Sequence, residues 1–161
     1  KTLNNMIIIG IDPGTTRIGF GVIESTQNRF TVLDYGIIST SGKDKSLDYK
    51  LISEGLSKLI SAHKPERAGV EKLFFSNNQK TAMSVSEARG VIILTFANHG
   101  IPIMEATPQQ VKQAVSAYGS AGKAQVERMV RMILKIKDPI TPDDAADALA
   151  IAICCANTNI Y

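Results

Sequence analysis

Met6-Ile7-Ile8-Ile9-Gly10-Ile11-Asp12-Pro13-Gly14-Thr15-Thr16 decides how the rest of the chain is read. Residues 6–11 are a continuous, β-branched apolar run, which suits a strand buried on both faces. A carboxylate ends that run and a Pro-Gly turn follows it. Downstream, 18–25 and 29–39 read as two further strands separated by Thr26-Gln27-Asn28, so the first three strands form an antiparallel meander. Residues 47–62 carry apolar side chains at Leu47, Leu51, Ile52, Leu56, Leu59 and Ile60. That is helical spacing, with Ser46 as the expected cap. A short strand is expected at 67–71, a long helix at 78–98 and another strand at 101–105. Helices follow at 107–118, opened by Thr107-Pro108, at 123–135 and at 141–157. The order β-β-β-α-β-α-β-α-α-α predicts a three-layer α/β fold, a five-stranded mixed sheet flanked by helices.

The chain has 161 residues, of which 44% are hydrophobic and 20% charged, and 18 Lys+Arg against 15 Asp+Glu give a net charge of +3. One domain over 1–161 is expected, with 1–5 as an extension before a natural start at Met6. The composition excludes a disordered or collagen-like chain. No apolar run reaches the roughly 18 residues of a membrane span. Cys154 and Cys155 are adjacent, poorly placed to bridge each other, and lie in an apolar run. They read as buried hydrophobes in a reducing, cytoplasmic protein. A charge of +3 does not by itself mark a nucleic-acid binder, but it can hide a basic face beside an acidic pocket.

The acids sit where chemistry is expected. Asp12 ends the first strand and Glu71 the fourth, and in open α/β sheets ligands bind beyond the carboxyl ends of strands. Asp143, Asp144 and Asp147 open the last helix. Asp143 is explained by the helix dipole alone. Asp147 is not, because it stands one turn into a run of small apolar residues. A buried, unpaired carboxylate costs several kcal/mol or takes up a proton. Converging carboxylates with no adjacent base call for a hard divalent cation, Mg²⁺ or Mn²⁺. Two such ions about 4 Å apart activate a water and stabilise the leaving oxygen of a phosphodiester. Spacing alone leaves this site open against a set of separate caps and surface acids.

Ile11-Asp12-Pro13-Gly14, Val70-Glu71-Lys72-Leu73-Phe74, Ala88-Arg89-Gly90, Gln110-Val111-Lys112-Gln113 and the run from Asp144 to Ala152 (Asp-Ala-Ala-Asp-Ala-Leu-Ala-Ile-Ala) occur in this order. Together they resemble the RuvC family, bacterial Holliday-junction resolvases of the ribonuclease H-like superfamily, from residue 6 to about residue 157. The resemblance implies that Asp12, Glu71, Asp144 and Asp147 are metal-binding catalytic acids, and it selects Asp144 over Asp143. It implies a homodimer that cuts symmetrically related strands of a four-way DNA junction, leaving 5′-phosphate and 3′-hydroxyl ends. It further implies Mg²⁺ or Mn²⁺, two ions per site, and a place beside the RuvA–RuvB branch-migration machinery in recombination and repair.

Lys112, Lys123, Arg128, Arg131, Lys135 and Lys137 face only one acid, Glu127, between residues 107 and 137. This local excess exceeds the net charge of the whole chain. Arg128, Arg131 and Lys135 share a helix face, read either as a solvated surface with a Glu127–Arg131 pair or as a phosphate-binding one. The resemblance puts Lys112 and Lys123 at the DNA, Lys123 as a transition-state stabiliser. It also puts Phe74 at the junction centre, stacking on an unpaired base, and leaves Phe75 to the core. It places the helix 78–98 in the two-fold interface. Gly90 costs that helix about 1 kcal/mol relative to Ala and suggests close approach of another backbone.

Gly119-Ser120-Ala121-Gly122-Lys123-Ala124 lacks the first Gly and the Ser/Thr of a phosphate loop. His63 and His99 each end a helix and read as C-terminal caps. Glu105 reads as a cap for the following helix. Residues 10–16 also resemble the phosphate loop of actin-like and sugar-kinase ATPases, but those proteins need two such domains. A non-cleaving junction binder would gain nothing from four acids that repel phosphate. A ribonuclease of the same superfamily is the remaining alternative.

Overall fold

The computed structural model describes residues 5–27, 29–74, 79–116 and 119–158. Five strands and five helices follow in the expected order: β1 (Asn5–Asp12), β2 (Arg17–Thr26), β3 (Arg29–Ser39), α1 (Lys45–His63), β4 (Arg67–Glu71), α2 (Gln79–Asn98), β5 (Ile103–Ala106), α3 (Pro108–Ser116), α4 (Lys123–Leu134) and α5 (Asp143–Asn157). The sheet order is β3-β2-β1-β4-β5. The β1–β2 and β2–β3 pairs are antiparallel, as the meander predicts, and β1–β4 and β4–β5 are parallel. Phe75, expected in the core, and residue 78, expected to open α2, lie outside the described residues. So do the expected end of α3 at 117–118 and most of the extension at 1–5.

Alternation along the strands sorts the side chains into two cores. Ile9, Ile11, Ala68 and Val70 pack with α1 and α2. Ile8 packs with α3, α4 and α5. Counting on by two from Ile8 places Gly10 and Asp12 on the α5 face. Counting on from Gly69, which touches Cys155 and Ile151 of α5, places Glu71 there too. Ile8, Ile9 and Ile11 have no exposed surface, each contributing about 1.5–3 kcal/mol of burial.

The last helix lies unusually close to the sheet. A Cβ on Gly10 would fall 2.1 Å from the Ala148 carbonyl oxygen, and one on Gly19 would fall 2.0 Å from that of Asp144. Only glycine permits this approach, and it carries the acidic start of α5 onto the ends of β1 and β4. Cys154 and Cys155 are buried and unbridged, as expected.

One local expectation fails. The cap of α1 is Asp44, whose Oδ1 accepts from the Leu47 amide at 3.0 Å, not Ser46, which lies inside the helix. Spacing to the first apolar residue fits either, and Asp44 alone keeps the extended backbone that a cap needs. Among the described residues of this one chain, nothing lies within 4 Å of a Cβ built on Gly90.

Candidate active site

Asp12 closes β1 and Glu71 closes β4 on adjacent parallel strands, whose register ends at Ile11↔Val70. Asp147 faces them from α5. Lys112 reaches in from α3 and Lys123, the first residue of α4, from the other flank. With Pro108, Val111, Val126 and Ala150 they line a cleft of about 350 Å³.

The acids strain against one another. Burial, then repulsion by Asp147, Glu71 and Asp144, drives the Asp12 carboxyl from 3.8 to about 8, although Lys123 pulls it down. Burial and Asp147 raise Glu71, opposed by Lys123 and Lys112. Burial raises Asp147, again against Lys123. The Lys123 ammonium stands 3.4 Å from Asp147 Oδ2 and 3.3 Å from Asp143 Oδ2. The Asp147 charge holds its pKa above the ordinary value. Asp143 is exposed in the first turn of α5, as its helix-dipole reading expects, and it also partners Lys123, which that reading did not include.

Asp144 does not line the cleft. Its Oδ2 lies 3.1 Å from the Arg17 guanidinium, yet that oxygen is buried and makes no aligned hydrogen bond among the described residues. It still adds to the charge felt by Asp12. Lys123, with Lys112 acting on Glu71, therefore faces a cluster of acids that raise one another's pKa. Among the described residues no three acid, His or Cys side chains stand close enough to ligate one ion as they are. The donors nonetheless suit a hard divalent cation. They are all carboxylate oxygens, they repel one another, and Asp144 Oδ2 has an ion pair but no aligned hydrogen bond. An ion bound in the cleft would compete with Lys123 for Asp147.

The remaining sites divide. Phe74 is 63% exposed on the chain leaving β4. Arg128 is exposed on α4. Arg131 is half-buried and committed within the chain, donating to the Lys137 carbonyl at 2.9 Å and pairing with Glu127 at 3.8 Å. Glu127 in turn accepts from the Ile140 amide at 3.1 Å. The shared face expected for Arg128 and Arg131 is thus part surface and part brace for the 135–140 loop. Glu105 does not cap α3, because Thr107 and Gln110 cap it reciprocally, at 3.1 Å and 2.8 Å. Glu105 pairs with Arg89. His99 caps the Thr95 carbonyl at 2.8 Å as expected. His63 instead meets Asp34 at 3.0 Å, and Lys64 forms the left-handed end of α1. Sequence reasoning missed Arg17 at the site. The only signal was a basic residue five positions after Asp12.

A sheet with this order, flanked by these helices and with acids ending its two parallel neighbours and opening the last helix, is a ribonuclease H-like fold. Residues 8–155 match the family described as Crossover junction endodeoxyribonuclease RuvC. The chain belongs to the RuvC family, a family of metal-dependent nucleases. A RuvC crossover junction endodeoxyribonuclease of Petrotoga mobilis is 51% identical over 153 residues, covering 94% of each chain. That of Halothermothrix orenii is 47% identical over 154 residues, covering 95% of this chain and 93% of its own. Thermus thermophilus RuvC in complex with a Holliday junction substrate superposes with a TM-score of 0.89 at 33% identity, covering 94% of this chain and 93% of that one.

Proposed function

We propose that this chain resolves four-way (Holliday) DNA junctions as a homodimer, hydrolysing two symmetrically related strands to leave 5′-phosphate and 3′-hydroxyl ends. The observation that carries the reading is one cleft that gathers carboxylates from β1, β4 and α5, where burial, then repulsion by Asp147, Glu71 and Asp144, raises the Asp12 carboxyl to about 8. Asp12, Glu71, Asp144 and Asp147 would hold two Mg²⁺ ions, with Mn²⁺ able to substitute. When bound, the ions supply a water of lowered pKa and stabilise charge on the phosphate.

The chain's own residues do the rest. Lys123, freed from Asp147 and Asp143, offers its ammonium to the developing phosphate charge. Lys112 orients the scissile phosphate from α3. Phe74 has the exposure needed to stack on an unpaired base at the junction centre. Arg128 contacts backbone phosphate, and Arg131 adds its charge to the same surface. Exposed Leu47, Met83 and Leu94 on α1 and α2 give the homodimer an apolar face. The named relatives and the junction-bound Thermus thermophilus protein support the substrate. RuvA–RuvB as partner and a cytoplasmic setting follow from the same family reading, and among the described residues no helix is long and apolar enough to cross a membrane.

The test compares cleavage of a four-way junction with cleavage of a linear duplex of the same sequence across a Mg²⁺ series. Paired, Mg²⁺-dependent cuts in the junction alone are expected. Equal cutting of both substrates contradicts junction selectivity, and cutting without divalent metal contradicts the assignment of the acids.

A further inference from the structure

The Glu71 main chain is held from the far side of the sheet. Its strand leaves the sheet directly after this residue, with the last parallel hydrogen bond running from the Lys72 amide to the Ala106 carbonyl at 2.7 Å. On the other edge, pairing with β1 stops at Val70. The Glu71 carbonyl therefore sits where the ladder ends. Arg89 Nε donates to that carbonyl at 3.0 Å. The far end of the same guanidinium grips the carboxylate of Glu105, which is paired in register with Val70 on the neighbouring strand. The Arg89 side chain is 16% exposed and rises from α2, which packs on the face opposite α5. It lines no part of the acid cleft.

We infer that Arg89, braced by Glu105, is the positioning residue that sets where the Glu71 carboxylate stands. The guanidinium is planar and its donors are fixed in direction, so two simultaneous acceptors leave it one orientation. It transmits that orientation through the backbone to a side chain on the opposite face of the sheet. It acts on the cleft as the partners of metal ligands act elsewhere, by removing the freedom of a ligand before the ion arrives. The inference rests on the reading of Glu71 as a metal ligand.

The test uses the full chain and the variants Arg89→Gln, Glu105→Gln and Glu71→Gln. The readouts are Mn²⁺ binding by titration calorimetry, junction cleavage against Mg²⁺ concentration, and junction binding without metal. Arg89→Gln is expected to weaken Mn²⁺ binding, and to raise the Mg²⁺ needed for half-maximal cleavage, by about tenfold or more. Metal-free junction binding is expected to stay within about twofold, because no phosphate contact is lost. Glu105→Gln, at a half-exposed side chain and with the shape of the side chain kept, is expected to shift both metal readouts the same way by less, and it decides the question if Arg89→Gln does not fold. Unchanged Mn²⁺ affinity in the folded variants overturns the inference, whether or not cleavage falls. If Glu71→Gln itself binds Mn²⁺ and cuts normally, the reading of Glu71 fails. If Glu71→Gln is impaired while the other two are not, only the inference about Arg89 fails.

Discussion

Asp12 and Asp48 are both withdrawn from water, on opposite faces of one sheet, and they have opposite fates. Asp48 is 5% exposed, and its Oδ1 accepts from the Ser41 amide at 2.9 Å and from the Ser41 hydroxyl at 3.0 Å. Nearby, Glu87 is held by Lys45 and Tyr49. Asp12 instead faces three acids and a single ammonium, and its carboxyl rises to about 8. Burial alone therefore does not make a site. A carboxylate supplied with donors is structure, and one left among its own kind is a place for a cation.

The largest effect separating the two regions falls on chemistry. Asp12→Asn is expected to cut junction cleavage about a thousandfold or more, the several kcal/mol attributed to metal chemistry, while junction binding in a gel-shift assay persists. Normal cutting by that variant sinks the assignment.

The next concerns pH. The unfolded Asp12 ionises near 3.8 and the folded one near 8, so the folded chain holds a proton that the unfolded chain has lost. The stability this contributes is full below pH about 4 and is lost as pH rises to about 8. Without metal, the melting temperature of the native chain relative to Asp12→Asn should fall between pH 5 and 8, and added Mg²⁺ should reverse the fall at pH 8. A pH-independent difference between the two proteins contradicts the repulsion at Asp12.

At the other region, Asp48→Ala strands two Ser41 donors, at a cost of about 1–3 kcal/mol, or several degrees of melting temperature. Cleavage per folded molecule should be unchanged. A selective loss of cleavage would erase the distinction between the two faces. The smallest expected effect is that of Lys112→Ala, a loss of about tenfold in cleavage, near 1.4 kcal/mol, with unchanged thermal unfolding. A lowered melting temperature would instead make Lys112 structural.

The acid cluster, one side of this contrast, was legible in the sequence, and Asp48 was not. Asp12 and Glu71 could be read as strand ends because β-branched runs stop at them, and Asp147 because it interrupts an apolar helix. The element order followed from periodicity. The rest depended on distances that periodicity does not carry. Asp144 turns to Arg17 because Gly19 lets α5 settle on β2, a packing fact with no local signature. The pairing of Arg131 with Glu127 is visible on a helical wheel, but not that the chain after α4 folds back to offer it the Lys137 carbonyl. Glu105 stands before a helix and invites a capping role, but Thr107 and Gln110 fill that role and Arg89 arrives from a helix earlier in the chain.

The most direct measurement is Mn²⁺ titration of the metal-free chain at pH 7, by calorimetry in two buffers of different ionisation enthalpy. An Asp12 carboxyl near 8 is protonated at that pH, so a cation bound there must expel its proton. The binding heat should differ between the buffers by the equivalent of about one proton released per site, and the difference should vanish in Asp12→Asn. Binding heats identical in the two buffers, or no Mn²⁺ binding at all, would contradict a cation site built on mutually repelling acids.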